Sequence, residues 1–169
     1  YSVWFVANLH LKDRPLGPML AWDNILYKSP SLGYVTATHQ LGSDHGPTVL
    51  TYYYPMTTGT PLEARRRLLA MDWKECVDVA LTDLEQPHPD IRSLVERIDV
   101  MRWGHAMPRP RPGMIWGGAR AKAAQPHRGI HFAHSDLSGV GIMEEAFYQG
   151  VRAAEEVLTA RGVPFESIL

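Results

Sequence analysis

The chain has 169 residues, and its 17 basic and 18 acidic side chains give a formal net charge of −1 at pH 7. This balance disfavours nucleic acid and anionic membranes as partners. The single cysteine, Cys76, excludes an intrachain disulfide and any multi-cysteine metal site. No apolar run approaches the ~20 residues that span a bilayer. The start at Tyr1 indicates a processed or excised segment, so the compartment stays open, with the cytoplasm favoured unless a targeting segment precedes it.

The first half of the chain predicts strands. Four segments are rich in β-branched and aromatic residues and are separated by clusters of Gly, Pro, Asp and Asn. They span residues 2–11, 24–28, 32–40 and 47–54. An antiparallel or mixed sheet is therefore expected in this part of the chain.

Helices are predicted next. Thr60 precedes Pro61 and Glu63, so an N-cap residue, a proline at the first helical position and a capping-box carboxylate coincide. Asp72 and Glu75 repeat the capping box, and apolar residues then recur at helical spacing. Two consecutive helices are therefore expected after the strands.

The rest of the chain predicts a second mixture of helix and strand. A short helix is expected around 90–96 and a strand over 97–108, ended by a proline-rich loop. Residues 129–136 then predict a strand, 137–141 a glycine turn, and 142–161 a long helix. The predicted fold class is α+β, an antiparallel or mixed sheet with flanking helices that ends in a strand–glycine turn–long helix unit.

One face of the last helix is predicted to pack on a large surface. Its apolar residues recur at helical spacing: Met143, Ala146, Phe147, Gly150, Val151, Ala154, Val157 and Leu158. Gln149, Arg152 and the glutamates lie elsewhere on the helical wheel. The small residues on the apolar face allow another backbone to come close.

The turn before this helix is a candidate ligand site. A helix that opens directly from a glycine turn presents unpaired N–H groups and its positive dipole end, which favour a phosphate oxygen or a carbonyl. Gly139 and Gly141 let the backbone approach such a ligand, and Asp136 is placed to accept hydrogen bonds from a ribose-like or ribitol-like hydroxyl. In the simpler alternative, Asp136 or Ser138 only caps the helix. The dinucleotide fingerprint is incomplete, because Glu144 stands where its third glycine belongs.

The stretch "FAHSDLSGVGIMEEAFYQGVRAAEEVL" resembles the C-terminal flavin-binding signature of the flavin-containing amine oxidoreductases, which include monoamine oxidases, phytoene-desaturase-like enzymes and protoporphyrinogen oxidase. The positions that match are Phe132, Ala133, Gly141, Met143, Glu144, Ala146, Gly150, Arg152, Ala153, Ala154 and Glu155. The chain departs from the family pattern at His134, Ile142 and Glu145. Ser135 and Asp136 stand where the family has one acidic residue, so either of them is a candidate for the contact with the ribitol. Upstream, Trp103 and Pro108 resemble the family's tryptophan- and proline-containing strand near the flavin ring.

The resemblance implies FAD as the cofactor and hydride transfer from a small-molecule substrate to the flavin. It implies a substrate-domain-like part, 1–125, and a C-terminal FAD-binding segment, 126–169, that completes a Rossmann-like domain. The implied cofactor-binding residues are Ser135, Asp136, Gly139, Gly141, Ile142, Met143 and Trp103. The family's N-terminal Gly-x-Gly-x-x-Gly loop is absent, so the chain is expected to need a missing N-terminal half and to be inactive alone. The catalytic residues stay unidentified, and association with a second copy is a further expectation.

Three alternatives accompany this interpretation. Trp103 serves equally well as a core residue of an aromatic strand. A zinc site can be drawn from His127, His131 and His134 with Asp136, but alternating strand side chains place His131 and His134 on opposite faces. A non-catalytic module with an apolar cavity between sheet and helix, lined by residues 51–56, is the third alternative.

Overall fold

The computed structural model describes residues 1–169, and the chain forms two compact units, Tyr1–Ala106 and Met107–Leu169. A five-stranded sheet and three helices make up most of the first unit, and the second contains two further helices. The α+β fold class is confirmed. The functional division into 1–125 and 126–169 stays a prediction.

The sheet is antiparallel, and its spatial order is β2-β3-β4-β1-β5. The strands are β1 (Ser2–Leu11), β2 (Asp23–Asn24), β3 (Gly33–Thr36), β4 (Thr48–Pro55) and β5 (Val95–Met107). The central pair, β1 and β4, is in register from Trp4 opposite Pro55 to Leu11 opposite Thr48. The strands predicted over 24–28 and 32–40 are shorter in the structure, because only Asp23–Asn24 and Gly33–Thr36 pair with a neighbour.

One face of β1 supplies the centre of the core. Every second residue of the strand is buried, because side chains alternate between the two faces of a sheet. These residues are Val3, Phe5, Ala7, Leu9 and Leu11. Helices α1 (Pro61–Ala70) and α2 (Trp73–Leu84) contact β1, and their buried Leu68, Cys76, Ala80 and Leu84 belong to the same core.

The two predicted capping boxes are confirmed. The amide of Glu63 donates to Thr60 Oγ1 at 3.2 Å, and the amide of Thr60 donates to Glu63 Oε2 at 2.8 Å. Asp72 and Glu75 exchange the same pair of bonds, each 2.8 Å long. Each box satisfies backbone N–H groups that a helix leaves unpaired at its first turn. A short helix, α3 (Ile91–Leu94), follows where one was predicted.

A buried tyrosine–histidine pair joins the sheet to the segment after α2. Tyr34 OH lies 2.5 Å from His88 Nε2, and His88 Nδ1 lies 2.7 Å from the Leu16 carbonyl oxygen. A carbonyl only accepts, so Nδ1 carries the hydrogen and Nε2 accepts from the tyrosine hydroxyl. Burial raises the pKa of Tyr34 to about 12. The Tyr34 hydroxyl therefore stays protonated over the physiological pH range.

The second unit contains α4 (Ala119–Ala124) and α5 (Met143–Ala160). The long terminal helix is confirmed, and α4 was not predicted. The strand predicted over 129–136 is wrong, since the structure has only an isolated bridge between His127 and Ile130 there and a single helical turn at Ser135–Leu137. The extended residues between them have no neighbouring strand to pair with. Among the helices, none combines the length and apolar character that crossing a membrane requires.

Candidate functional site

The glycine turn begins with the helical turn Ser135–Leu137. Its hydrogen bonds run from the amide of Leu137 to the His134 carbonyl at 3.0 Å and from the amide of Gly139 to the Asp136 carbonyl at 3.0 Å. Gly139 has φ of +78°, which side-chain-bearing residues rarely adopt. The backbone then leads through Ile142 directly into α5.

The N-terminus of α5 has no side-chain cap. Ile142 occupies the N-cap position with an extended backbone, and no side chain there accepts a hydrogen bond from the first turn. Asp136 instead lies against His134, whose Nδ1 accepts from the Asp136 amide at 3.1 Å and lies 3.2 Å from Asp136 Oδ1. Ser138 Oγ accepts from Gln149 Nε2 at 2.9 Å. The alternative in which Asp136 or Ser138 caps α5 is therefore wrong, and the first-turn N–H groups lack a capping side chain.

Arg120 holds the turn from α4. Its Nη1 donates to the Ser138 carbonyl at 2.6 Å and lies 3.4 Å from the Leu137 carbonyl, while Nη2 donates to the Ile115 carbonyl at 3.1 Å. The guanidinium thereby satisfies carbonyls that neither sheet nor helix pairs. The sequence offered no signal for this role, because α4 is short and uncapped.

A polar chain of side chains ties the segment before the turn to α5. Arg152 Nε donates to Gln149 Oε1 at 2.8 Å, and its Nη2 donates to the Phe132 carbonyl at 2.5 Å. Its Nη1 donates to Glu156, whose other carboxylate oxygen lies 3.0 Å from His131 Nδ1. The hydrogen bond with His131 and then that with Arg152 lower the pKa of Glu156. Gln149 and Arg152 are thus positioning residues, and only the i, i+4 spacing of Arg152 and Glu156 indicated this from the sequence.

The two glycines of the turn contact side chains of their own unit. A Cβ built on Gly141 would lie 3.0 Å from Met107 Cε, and one built on Gly139 would lie 3.3 Å from Met114 Cε. A larger residue at either position would therefore press on a methionine. A ligand group that approaches the Gly141 backbone has to displace the end of the flexible Met107 side chain.

The apolar face of α5 is exposed. Met143 and Phe147, which were predicted to pack on a large surface, are 79% and 63% exposed. The buried residues of the helix are Gln149 and Ala153, on a different face. The packed face of α5 is thus the one that carries the polar chain, because Gln149 and Arg152 bond to the segment 132–138.

The predicted site residues fall in both units. Ser135 and Asp136 are partly buried, Gly139 is buried, and Ile142 is exposed together with Met143. These five, with Gly141, lie on one continuous turn of the second unit.

Trp103 belongs to the first unit, in β5, where its side chain is 50% exposed. The alternative of Trp103 as a buried core residue is therefore wrong.

The structure groups no three His, Cys, Asp or Glu side chains in a manner that could hold a metal ion. Of the histidines considered for zinc, His131 Nδ1 lies 3.0 Å from Glu156 Oε2, and His134 Nδ1 accepts from the Asp136 amide. The apolar-cavity alternative has a counterpart in the first unit, where Tyr52 and Tyr54 line a cleft of about 440 Å³ beside α2.

The family model described as flavin containing amine oxidoreductase matches residues 38–158, more than half of the chain. The chain belongs to this family. No curated protein shows a significant match to it. The region that marks the chain as an amine oxidoreductase runs from the segment after β3 through Trp103 and the whole glycine turn into α5.

In this amine oxidoreductase, replacing Arg152 with alanine should loosen the turn without unfolding α5. The change removes the donors to Gln149 and to the Phe132 carbonyl, each worth about 1 kcal/mol. Amides 135–141 should then exchange with deuterium about tenfold faster. Arg161→Ala at the exposed end of α5 is the control. Unchanged exchange in Arg152→Ala would show that the turn is held without this side chain.

Proposed function

We propose that this chain is the C-terminal part of an FAD-dependent oxidoreductase that transfers a hydride from its substrate to the flavin. Family membership supports flavin-dependent oxidation in general, and the uncapped N-terminus of α5 supports this turn as the flavin-contacting element. When bound, FAD supplies the hydride acceptor. The residues of this chain position the cofactor and stabilise charge on it.

The groups of the turn fit the cofactor in their chemistry. The unpaired N–H groups of residues 142–145 and the dipole of α5 suit the electron-rich edge of the flavin ring. The Asp136 carboxylate and Ser135 suit the ribitol hydroxyls. Gly139 and Gly141 keep the backbone free of Cβ atoms at the point of approach. Ile142 and Met143 complete the set on this turn that we assign to the cofactor, whereas the assignment of Trp103, in the first unit, rests on the family resemblance alone.

The exposed apolar face of α5 supports a second part of the proposal. Met143 and Phe147 lie on that face, and nothing within 4 Å would meet a Cβ added to Gly150. An apolar face with a small residue at its centre suits close packing against another backbone. We assign this face to the N-terminal half that carries the dinucleotide-binding loop of the family. The isolated chain should accordingly bind FAD weakly and lack activity.

Flavin absorbance tests this function directly. A longer protein that includes the sequence upstream of Tyr1 should be yellow and contain about one FAD per chain, whereas the 169-residue chain should retain little. In the longer protein, Asp136→Asn should weaken FAD binding about tenfold, since hydrogen bonds to a charged group contribute about 1.5–3 kcal/mol. Asp44→Asn, an exposed carboxylate of the first unit, is the matched control. A colourless longer protein would contradict the proposal, and so would equal FAD affinity in both variants.

A non-catalytic ligand-binding module is the second candidate. The observation that favours it is the largely apolar cleft of about 440 Å³ lined by Tyr52, Tyr54 and Val79, a volume within the usual range of small-molecule sites. A colourless longer protein that still binds a small apolar molecule would favour this function over flavin chemistry.

A further inference from the structure

The cleft in the first unit lies between β4 and α2. Tyr52 and Tyr54 form its sheet side, Val79, Thr82 and Asp83 form its helix side, and Pro30 completes the wall. The centroids of the two tyrosine rings are 6.4 Å apart, with their planes tilted by 32°. The cleft therefore offers aromatic and aliphatic surface to a ligand of modest size.

A buried carboxylate lies in the wall of this cleft. Asp83 is only 6% exposed. Three hydroxyls approach the same oxygen, Oδ2: Ser29 Oγ at 2.5 Å, Ser31 Oγ at 2.8 Å and Tyr52 OH at 2.8 Å. Oδ1 receives none of these bonds, so part of the acceptor capacity of the carboxylate is left for another donor.

One carboxylate without an ion-pair partner lines the cleft. This carboxylate is Asp83, because Asp78, which also lines the cleft, is neutralised by Lys74, and no lysine or arginine lines the cleft itself. The cations nearby already have partners, since Lys74 bonds to Asp78 at 2.6 Å and Arg92 bonds to Glu85 at 2.6 Å. A largely apolar cleft that contains a buried carboxylate favours a cationic ligand over a neutral one of the same shape.

We propose that the cleft between β4 and α2 binds a small organic cation with a flat apolar body. The apolar body lies against Tyr54 and Val79, where the partly exposed tyrosine ring attracts cations and planar groups. The cationic group donates to the free Oδ1 of Asp83. Ser29, Ser31 and Tyr52 hold this carboxylate in place and keep its other oxygen satisfied before the ligand arrives.

The test is a titration of the 169-residue chain with benzamidinium, a planar aromatic cation, followed by calorimetry and by amide chemical shifts. We expect saturable binding with shifts centred on β4 and α2, and binding of the neutral isostere benzamide at least about tenfold weaker. Thr82→Trp should abolish binding because it fills the cleft from an exposed position without altering the bonds of Asp83. Arg66→Trp, on an exposed site of α1, is the matched control and should bind normally.

Asp83→Asn should weaken benzamidinium binding about tenfold or more while leaving benzamide binding unchanged. If this variant does not fold, the comparison of Thr82→Trp with Arg66→Trp still decides the matter. No saturable binding, equal binding of benzamide, or unchanged binding in Thr82→Trp would each overturn the proposal. Because no flavin takes part in the measurement, its failure leaves the proposed oxidoreductase function untouched.

Discussion

The Asp83→Ala variant is expected to lose about 3 kcal/mol of unfolding free energy. The substitution removes the acceptor of Ser29, Ser31 and Tyr52 at once. Buried polar groups left without a partner cost about 1–3 kcal/mol each, although such costs do not add in full. Urea unfolding, followed by circular dichroism, measures the loss.

Asp78→Ala is the matched control for this variant. Asp78 lies on the same helix and pairs with Lys74 at the surface, with half of its side chain exposed. Surface ion pairs contribute less than about 1 kcal/mol, so this variant should unfold close to the wild type. Equal stabilities of Asp83→Ala and Asp78→Ala would show that the three hydroxyls do not depend on Asp83.

His88→Ala is expected to cost a similar amount, about 3 kcal/mol. His88 is completely buried and bridges the Leu16 carbonyl and the Tyr34 hydroxyl. Its loss leaves a cavity together with two buried groups that lack a partner. His45→Ala, at an exposed histidine, is the control. In the same urea titration it should change the unfolding free energy by less than about 0.5 kcal/mol. An equally small change in His88→Ala would contradict the assigned hydrogen bonds.

The hydrogen-bonded pair of Tyr34 and His88 predicts that the unfolding free energy decreases at alkaline pH. The folded state raises the pKa of Tyr34 from 10.0 to about 12, so the stabilisation is complete below pH 10 and disappears as the pH rises from 10 towards 12. Over that range, Tyr34→Phe should reduce the pH dependence of the unfolding free energy by about 1.4 kcal/mol per pH unit. Burial also raises the pKa of Tyr52, so some alkaline dependence should persist. An identical slope in both proteins would exclude Tyr34 as a titrating group.

The sequence predicted those helices and strands that depend on residues close together in the chain. Thr60 and Asp72 marked the first residues of α1 and α2, because the capping box needs only residues within one turn. The alternating burial of β1 likewise follows from a period of two. The extent of a strand depends on its neighbour, so the strand predicted over 129–136 is not formed where no strand lies beside it.

The glycine turn and the start of α5 could be predicted from the sequence. The side chains that hold the turn in place could not. Gly139 and the start of α5 were recognised from residue type and spacing. Gln149 was placed off the apolar face of the helix, but it is buried, and its amide donates to Ser138 Oγ. Arg120 holds the turn from 18 residues away along the chain. Polar residues that are buried through partners distant in sequence cannot be identified from helical periodicity alone.

The order of the strands has a consequence for how the protein folds during synthesis. β1 is synthesised before the other four strands of the sheet, yet it lies between β4 and β5, whose first residues are Thr48 and Val95. One edge of β1 therefore stays unpaired until β5 has been synthesised, more than eighty residues later. Such non-local pairing is slow. Until then its apolar face, from Val3 to Leu11, is available to chaperones and to aggregation. The yield of folded protein should thus depend on the rate of translation through the helices that separate these strands.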